Sequence, residues 1–220
     1  MRRIALTATL IGVLATAAVA TAGISIFKTS FSSRGEYSSI DRLSGASKTC
    51  KRSWRGKTSL GVTVKGGEAA CALSTPVEGD ASKPNQIVKA VAVVTKNTDK
   101  KLRKDTYVGV AVRADRRGDY ELRIFPKSRR FQLVKSGEVL EQGREKAIEG
   151  LDEKNRIEIS AIGNAVAAKA NGTRLAQFGD KDAAQVKGRK TAVVYGTTKR
   201  SKKAEGIGYF DKLKVQVPTP

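Results

Sequence analysis

Residues 155–178 constrain the fold of this chain more than any other segment, because they read as three short strands joined by two tight turns. In the first of these strands, Ile157, Ile159 and Ala161 alternate with mostly polar residues. A period of two is typical of a strand that buries one face and exposes the other. The segment therefore predicts β structure.

The turns around the second strand support this prediction. Gly163-Asn164 and Asn171-Gly172 are dipeptides that tolerate a positive φ, which the two-residue loops of β hairpins require. Residues 165–170 are rich in alanine and favour a helix by propensity alone. Because hairpin turns flank them on both sides, we predict a strand here and a three-stranded meander overall.

Short apolar runs separated by turn residues recur about every ten residues through much of the chain, as in sandwiches and barrels. Further strands are predicted at residues 60–64, 69–73, 87–94, 107–113, 120–125, 131–135, 192–195 and 208–217. The first two, around Gly66-Gly67, are expected to form a hairpin, and the nearly continuous apolar run 87–94 is expected deep in a sheet. The predicted fold class is an all-β antiparallel sandwich.

The order of these motifs resembles the concanavalin A-like lectin/glucanase superfamily. It is most similar to laminin-G-like sandwiches and to bacterial domains of the 3-keto-disaccharide hydrolase type. The resemblance rests on the meander, on the paired strands 107–113 and 120–124, and on the closing strand 208–215, and it spans residues 55–218. It departs from the family pattern near residues 187–192. The resemblance implies a jelly-roll sandwich, and it permits hydrolysis of modified disaccharides.

The beginning of the chain predicts export. Arg2 and Arg3 precede an uncharged run, residues 4–27, which as a helix is long enough to cross a hydrocarbon core of about 30 Å. Ala18-Val19-Ala20 is a small-x-small cleavage signature. Residues 1–27 are therefore interpreted as a signal peptide or an uncleaved signal-anchor helix, with a buried core helix as a weaker alternative. The protein would be secreted, or anchored with its domain outside the membrane.

Two further segments complete the predicted domain organisation. Residues 28–47 are rich in serine and poor in large apolar residues, which predicts a linker. The sandwich is then expected at residues 48–218. It contains the only two cysteines, Cys50 and Cys71, whose even number in an exported chain favours a disulfide over two free thiols.

Net charge points to anionic partners. The chain has 42 Lys and Arg against 21 Asp and Glu, a formal net charge of +21. The basic clusters fall at predicted turns, whose tips can converge at the ends of a sandwich. The candidate ligand-binding residues are Lys101, Arg103, Arg116, Arg117, Arg129, Arg130, Lys187, Arg189, Lys199 and Arg200. Expected partners are an anionic cell-wall polymer, a carbohydrate or an anionic lipid surface. The alternative is that basic tips only keep turns and sheet edges soluble.

Aromatic residues are too few to favour nucleic-acid binding, which uses stacked bases. Trp54 is a candidate platform for a sugar ring, with a lid over the sandwich edge as the alternative. Asp180 and Asp182 are either half of a calcium site or an Asx turn.

Catalytic signals are weak. The chain has no histidine, which excludes Ser-His-Asp and Cys-His systems and His-ligated zinc. It also lacks the Glu-x-Asp-x-x-Glu run that carries the two carboxylates of retaining glucanases. We therefore predict no catalytic residue, cofactor or metal. The expected function is non-catalytic binding at the cell envelope, with a disaccharide hydrolase or a structural ectodomain of a membrane complex as alternatives.

Overall fold

The computed structural model describes residues 23–43, 50–65, 69–78, 85–115, 118–182, 186–199, 201 and 203–218. Within these ranges the chain is an antiparallel β-sandwich with one short helix, α1 (Arg34–Ser38), and a 3-10 turn at Pro126–Ser128. The strands are β1 (Gly23–Thr29), β2 (Asp41–Arg42), β3 (Cys50–Arg55), β4 (Ser59–Lys65), β5 (Ala69–Glu78), β6 (Gln86–Val94), β7 (Thr106–Ala114), β8 (Tyr120–Phe125), β9 (Arg130–Lys135), β10 (Glu138–Arg144), β11 (Asn155–Ile162), β12 (Ala165–Ala170), β13 (Thr173–Gly179), β14 (Lys190–Thr197) and β15 (Glu205–Pro218).

The strands form two sheets. In the eight-stranded sheet the order is β13-β12-β11-β6-β15-β4-β3, and β1 pairs with the second half of β15. In the seven-stranded sheet the order is β10-β9-β8-β7-β14-β5-β2. The inward faces of both sheets meet in one apolar core, to which β7 contributes Val108, Val110 and Val112. The predicted sandwich is therefore confirmed.

The meander also forms as predicted. β11 pairs with β12 and β12 with β13, so the alanine-rich segment is a strand despite its helix propensity. Asn171 and Gly172 both have a positive φ, and the Asn171 side chain fastens the turn by accepting the Arg156 N–H at 2.7 Å. Tertiary pairing on both sides supplies hydrogen bonds that an isolated helix of six residues would not retain.

The predicted hairpin of residues 60–64 and 69–73 is wrong. β4 lies in the eight-stranded sheet between β15 and β3, whereas β5 lies in the other sheet between β14 and β2. The chain therefore crosses from one sheet to the other here. A glycine pair marks a change of direction, but it does not distinguish a hairpin from a corner.

The predicted disulfide is present, and it fixes the two sheets to each other near this crossing. Cys50, on the edge strand β3, is bonded to Cys71 on β5, and their Cα atoms are 5.5 Å apart. Both residues are buried. The disulfide thus joins the two sheets.

The N-terminal segments differ from the sequence prediction. Residues 4–22 of the expected hydrophobic helix lie outside the described residues, while residues 23–27 belong to β1, a strand paired with β15. None of the helices in the described part of the chain is long and apolar enough to span a bilayer.

The predicted linker, residues 28–47, is ordered over its described part. The Ser33 hydroxyl accepts the Glu36 N–H at 3.1 Å and caps α1, and Phe31 and Ile40 are fully buried in the core. Burial of these two side chains helps to hold the segment against the sandwich, as do the pairing of β1 with β15 and of β2 with β5. The capping pattern of Ser33 and Glu36 was a visible sequence signal for a helix start.

Candidate functional site

A row of charged side chains crosses the outer face of the eight-stranded sheet. The pairing register places one residue from each of six neighbouring strands side by side. In order across the sheet, this basic row consists of Lys28, Lys214, Lys89, Glu158, Lys169 and Arg174. Because adjacent strands lie about 4.8 Å apart, the row presents charges at a regular interval along a line perpendicular to the strands.

Strand alternation explains why these side chains face solvent. On β6, Val88 and Ala90 belong to the core, so Lys89 between them points outward. On β11, Ile157 and Ile159 belong to the core, so Glu158 between them points outward. The basic row is thus the solvent face of strands whose other face is buried.

A groove runs along the row. It has a volume of about 540 Å³, and Lys28, Lys89, Lys169 and Lys214 are among its lining residues. A neighbouring groove of about 440 Å³ shares the residue Lys212 with it. The outer face therefore offers an elongated depression.

One carboxylate interrupts the positive charge. The Glu158 side chain is only 24% exposed; its Oε2 lies 3.0 Å from Lys89 Nζ, and its Oε1 lies 3.6 Å from Lys169 Nζ. Among the described residues, no carboxylate lies within 4 Å of the ammonium groups of Lys28, Lys212 or Lys214. These three ammonium groups are available to an anionic ligand, and the attraction would weaken as salt screens it.

The sequence analysis did not identify this face. Lys89 and Lys169 are single lysines in apolar strands, and Lys212 and Lys214 alternate with Leu213 on β15. Only the register between strands brings them into one row. The available signal was a lysine between apolar residues in the predicted strands 87–94, 165–170 and 208–217, whereas Lys28 fell in the predicted linker.

Several predicted ligand-binding residues meet at one end of the sandwich. Arg103 donates from Nε to the Thr98 carbonyl at 2.9 Å, within the turn that also carries Lys101. The Arg130 guanidinium lies 4.6 Å from the centre of the Phe125 ring, and its Nη2 contacts the Lys104 carbonyl at 3.4 Å.

Further predicted residues extend this end. Arg129 ends the 3-10 turn in the left-handed region beside Arg130. Lys199 follows Thr198, whose N–H donates to the Asp105 carbonyl at 3.0 Å. The expected convergence of basic tips is thus seen for these residues.

The other predicted basic residues are elsewhere. Lys187 and Arg189 are exposed at the opposite end, where the Arg189 carbonyl accepts a hydrogen bond from Gln86 Nε2. Arg116, Arg117 and Arg200 lie outside the described residues.

Trp54 is held by the N-terminal segment. Its indole Nε1–H donates to the Phe31 carbonyl at 2.7 Å, and its ring stacks against Tyr37 with the two centres 6.4 Å apart. Arg52 lies over the other ring of this pair, 5.4 Å from the centre of Tyr37. These contacts match the interpretation of Trp54 as part of a lid over the sandwich edge.

The outer face of the seven-stranded sheet carries a carboxylate pair that the sequence analysis missed. Asp119 immediately precedes β8 and Glu121 lies on it two residues later, so alternation directs both to the same face. Arg123, two residues further on, donates to both Glu121 oxygens at 2.9 and 2.8 Å. Burial and the neighbouring Glu121 raise the pKa of Asp119 to about 7. A strand with acidic residues at i and i+2 was the signal available in the sequence.

The pair has unequal protonation chemistry. With its pKa raised to about 7, Asp119 is partly protonated near neutral pH, whereas both oxygens of Glu121 accept hydrogen bonds from a guanidinium. Two carboxyl groups with different environments are the usual arrangement for acid and base roles. Here the bidentate contact with Arg123 competes with any attack by Glu121 on a substrate.

Asp180 and Asp182 form an Asx turn. Asp180 Oδ1 accepts the Asp182 N–H at 2.8 Å, and Oδ2 accepts from Lys135 Nζ at 2.7 Å and from the Tyr120 hydroxyl. Although burial opposes it, these donors hold the pKa of Asp180 below its ordinary value. Among the described residues, no cluster of three acidic or cysteine side chains is placed to hold a metal ion.

Comparison with known proteins identifies the architecture. No protein-family model matches the chain, and no curated protein matches its sequence. Among solved structures, a Bacillus subtilis protein of unknown function with a galectin-like fold superposes with a TM-score of 0.63 at 12% identity, covering 90% of this chain and 98% of that one. The chain has a concanavalin A-like fold.

Two further structures extend this likeness. The carbohydrate-binding module CBM66 from Bacillus subtilis gives a TM-score of 0.58 at 9% identity, covering 81% of this chain and 95% of the module. The Bacillus licheniformis β-glucanase gives a TM-score of 0.60 at 8% identity, covering 90% of this chain and 100% of the enzyme. At such identities the likeness concerns the fold alone.

Proposed function

We propose that this concanavalin A-like domain binds an acidic carbohydrate polymer, without catalysis, outside the cytoplasm at the cell envelope. The single observation that carries the proposal is the basic row with its groove on the eight-stranded sheet. A linear polyanion lying across the strands would meet Lys28 and then Lys214, with Lys212 lining the same groove. The flexible ammonium groups suit carboxylate or phosphate groups on a polymer without fixed geometry.

Other observations support parts of this proposal. The fold is shared with a carbohydrate-binding module, which favours a glycan as the ligand class. The Cys50–Cys71 disulfide favours an oxidising compartment, as does the uncharged run near the N-terminus. The formal net charge of +21 favours an anionic ligand and rapid encounter with it.

A charge-matched comparison of two double variants tests the proposal. Lys28→Gln with Lys214→Gln removes two charges from the basic row. Lys101→Gln with Lys199→Gln removes two charges from the loop end, the end of the sandwich where the basic loops meet. Binding to polygalacturonate and to uncharged dextran would be measured by calorimetry at low salt. We expect the first variant to lose about tenfold in affinity for polygalacturonate, at about 0.7 kcal/mol for each exposed contact.

The control variant and dextran decide the interpretation. The loop-end variant is expected to bind polygalacturonate like the unaltered protein, and dextran is expected not to bind. Equal losses in both variants would show that the sheet face is not the site. Loss in the loop-end variant alone would assign binding to the converging loops.

Hydrolysis of a glycoside is a second candidate, favoured by the raised pKa of Asp119 beside Glu121. Incubation with β-glucans and with 3-keto-disaccharides, followed by measurement of new reducing ends, tests it. Product formation that disappears in Asp119→Asn would establish the hydrolase. Absence of product from both proteins would favour binding alone.

A further inference from the structure

Glu158 occupies the position in the basic row at which a ligand's anionic group would otherwise sit. It is the only acidic member of the row, and basic side chains flank it on both sides. Each of its oxygens faces a different lysine, Lys89 at 3.0 Å and Lys169 at 3.6 Å. The carboxylate thus already serves as the anion for two of the row's lysines.

This arrangement treats two kinds of polyanion differently. A densely charged polymer lying along the row places an anionic group near Glu158, where like charges repel, and it must compete with Glu158 for Lys89 and Lys169. A sparsely charged polymer can place its anionic groups at Lys28 and Lys214 and near Lys212, and leave the Glu158 position to uncharged sugar. Repulsive elements of this kind produce specificity rather than affinity.

The available lysines of this face lie apart from Glu158. Lys28, Lys212 and Lys214 lie together on β1 and the neighbouring part of β15, away from Glu158 on β11. The groove also contains apolar surface at Val91, next to Lys212 in the pairing register. An uncharged sugar face can pack on such surface.

We propose that Glu158 is a specificity-determining residue that makes this face prefer acidic polysaccharides with widely spaced charges over densely charged polyanions. This inference rests on the proposed function, because it concerns which ligand the same face accepts. Glu158 acts by keeping Lys89 and Lys169 neutralised. It also repels the next anionic group along a ligand whose charges are closely spaced.

The test compares four proteins, each as the full chain: the unaltered protein, Glu158→Gln, Glu158→Asp and Glu141→Gln. Glu141 is an exposed glutamate on β10 of the other sheet, so its variant makes the same change in net charge away from the groove. The two probes are hyaluronan, with one carboxylate for every two sugars, and heparin, which is densely charged. Dissociation constants are measured at two salt concentrations, and melting temperatures verify that every variant folds.

We expect Glu158→Gln to strengthen heparin binding about fivefold and hyaluronan binding less than twofold, which corresponds to a change in discrimination of about 0.5–1 kcal/mol. Its binding of heparin should also become more salt-dependent, because two more ammonium groups contact the polymer. Glu158→Asp should keep the original ratio, and Glu141→Gln should change both affinities equally and slightly.

A failure of the role of Glu158 can be distinguished from a failure of the proposed function. If Glu158→Gln and Glu141→Gln change the ratio of affinities alike while the unaltered protein binds hyaluronan, the role of Glu158 is overturned and the proposed function stands. If the unaltered protein binds neither polymer, both are overturned.

Discussion

Asp119 is a carboxyl group whose pKa lies far above its ordinary value. Burial, together with repulsion from Glu121 and Asp115, raises its pKa to about 7, although Arg123 opposes the shift. An unfolded aspartate has a pKa of about 3.9. The folded protein therefore binds a proton at Asp119 through a pH range in which the unfolded chain has released it.

The pH dependence of stability follows from this difference. Between about pH 4 and 7 the folded state holds more protons, so the free energy of unfolding contributed by Asp119 falls as pH rises. We expect Asp119→Asn to be more stable than the unaltered protein at pH 8 by on the order of 2–4 kcal/mol, and similar to it at pH 4. Urea unfolding at both pH values measures this. Asp182→Asn, at an exposed site, is the control, and an equal gain in both variants would contradict the prediction.

Trp54 provides a second test for a single residue. Trp54→Phe keeps a ring to stack against Tyr37 but leaves the Phe31 carbonyl without its indole donor. We expect a loss of about 1 kcal/mol in the free energy of unfolding, measured by urea denaturation. An unchanged unfolding midpoint would show that the carbonyl is satisfied by water and that the indole does not hold the N-terminal segment.

At the scale of elements, the edge of the sandwich near β3 depends on a covalent bond. The disulfide closes a loop between residues 21 positions apart and joins β3 to β5 in the opposite sheet. Replacing both Cys50 and Cys71 by alanine should lower the free energy of unfolding by about 3 kcal/mol. Denaturation of the variant and of the reduced unaltered protein should agree. Stability equal to that of the oxidised protein would show that the apolar core alone holds this edge.

The N-terminal elements give a second prediction at this scale. β1 covers the second half of β15, and Phe31 and Ile40 are fully buried, so these elements belong to the sandwich. A chain that begins at residue 48 would lose both side chains, at about 2–5 kcal/mol each. We expect it to melt far below a chain that begins at Gly23, as followed by circular dichroism. Equal melting temperatures would restore the linker interpretation of residues 28–47.

At the scale of the whole molecule, the basic row and the converging loops are two separate regions of positive charge. If the row is the binding face, the affinity for polygalacturonate should fall by at least about tenfold between about 50 and 200 mM salt. The Lys28→Gln and Lys214→Gln double variant should show a shallower dependence of log affinity on log salt, since it forms two fewer ion contacts. Titrations at four salt concentrations measure the slope. A slope unchanged from the unaltered protein would exclude this face.

Prediction from the sequence succeeded where the signal was local. Asn171-Gly172 requires positive φ and sits between alternating residues, so the meander could be recognised without any tertiary contact. The disulfide followed from the even number of cysteines together with the predicted export of the chain. Prediction failed at residues 60–73, where the same glycine signal serves a crossing between sheets, and at residues 28–43, where two buried side chains outweigh a polar composition.

The sequence by itself determined the class of the fold, its turns and the sign of its charge, because alternation, turn chemistry and composition are properties of neighbouring residues. It did not determine the candidate site. Lys28, Lys89 and Lys214 are far apart along the chain, and only the pairing of β1, β15 and β6 aligns them. The tertiary structure likewise decided the state of Asp119, because a pKa shift of this size depends on burial and on the charges that surround the group.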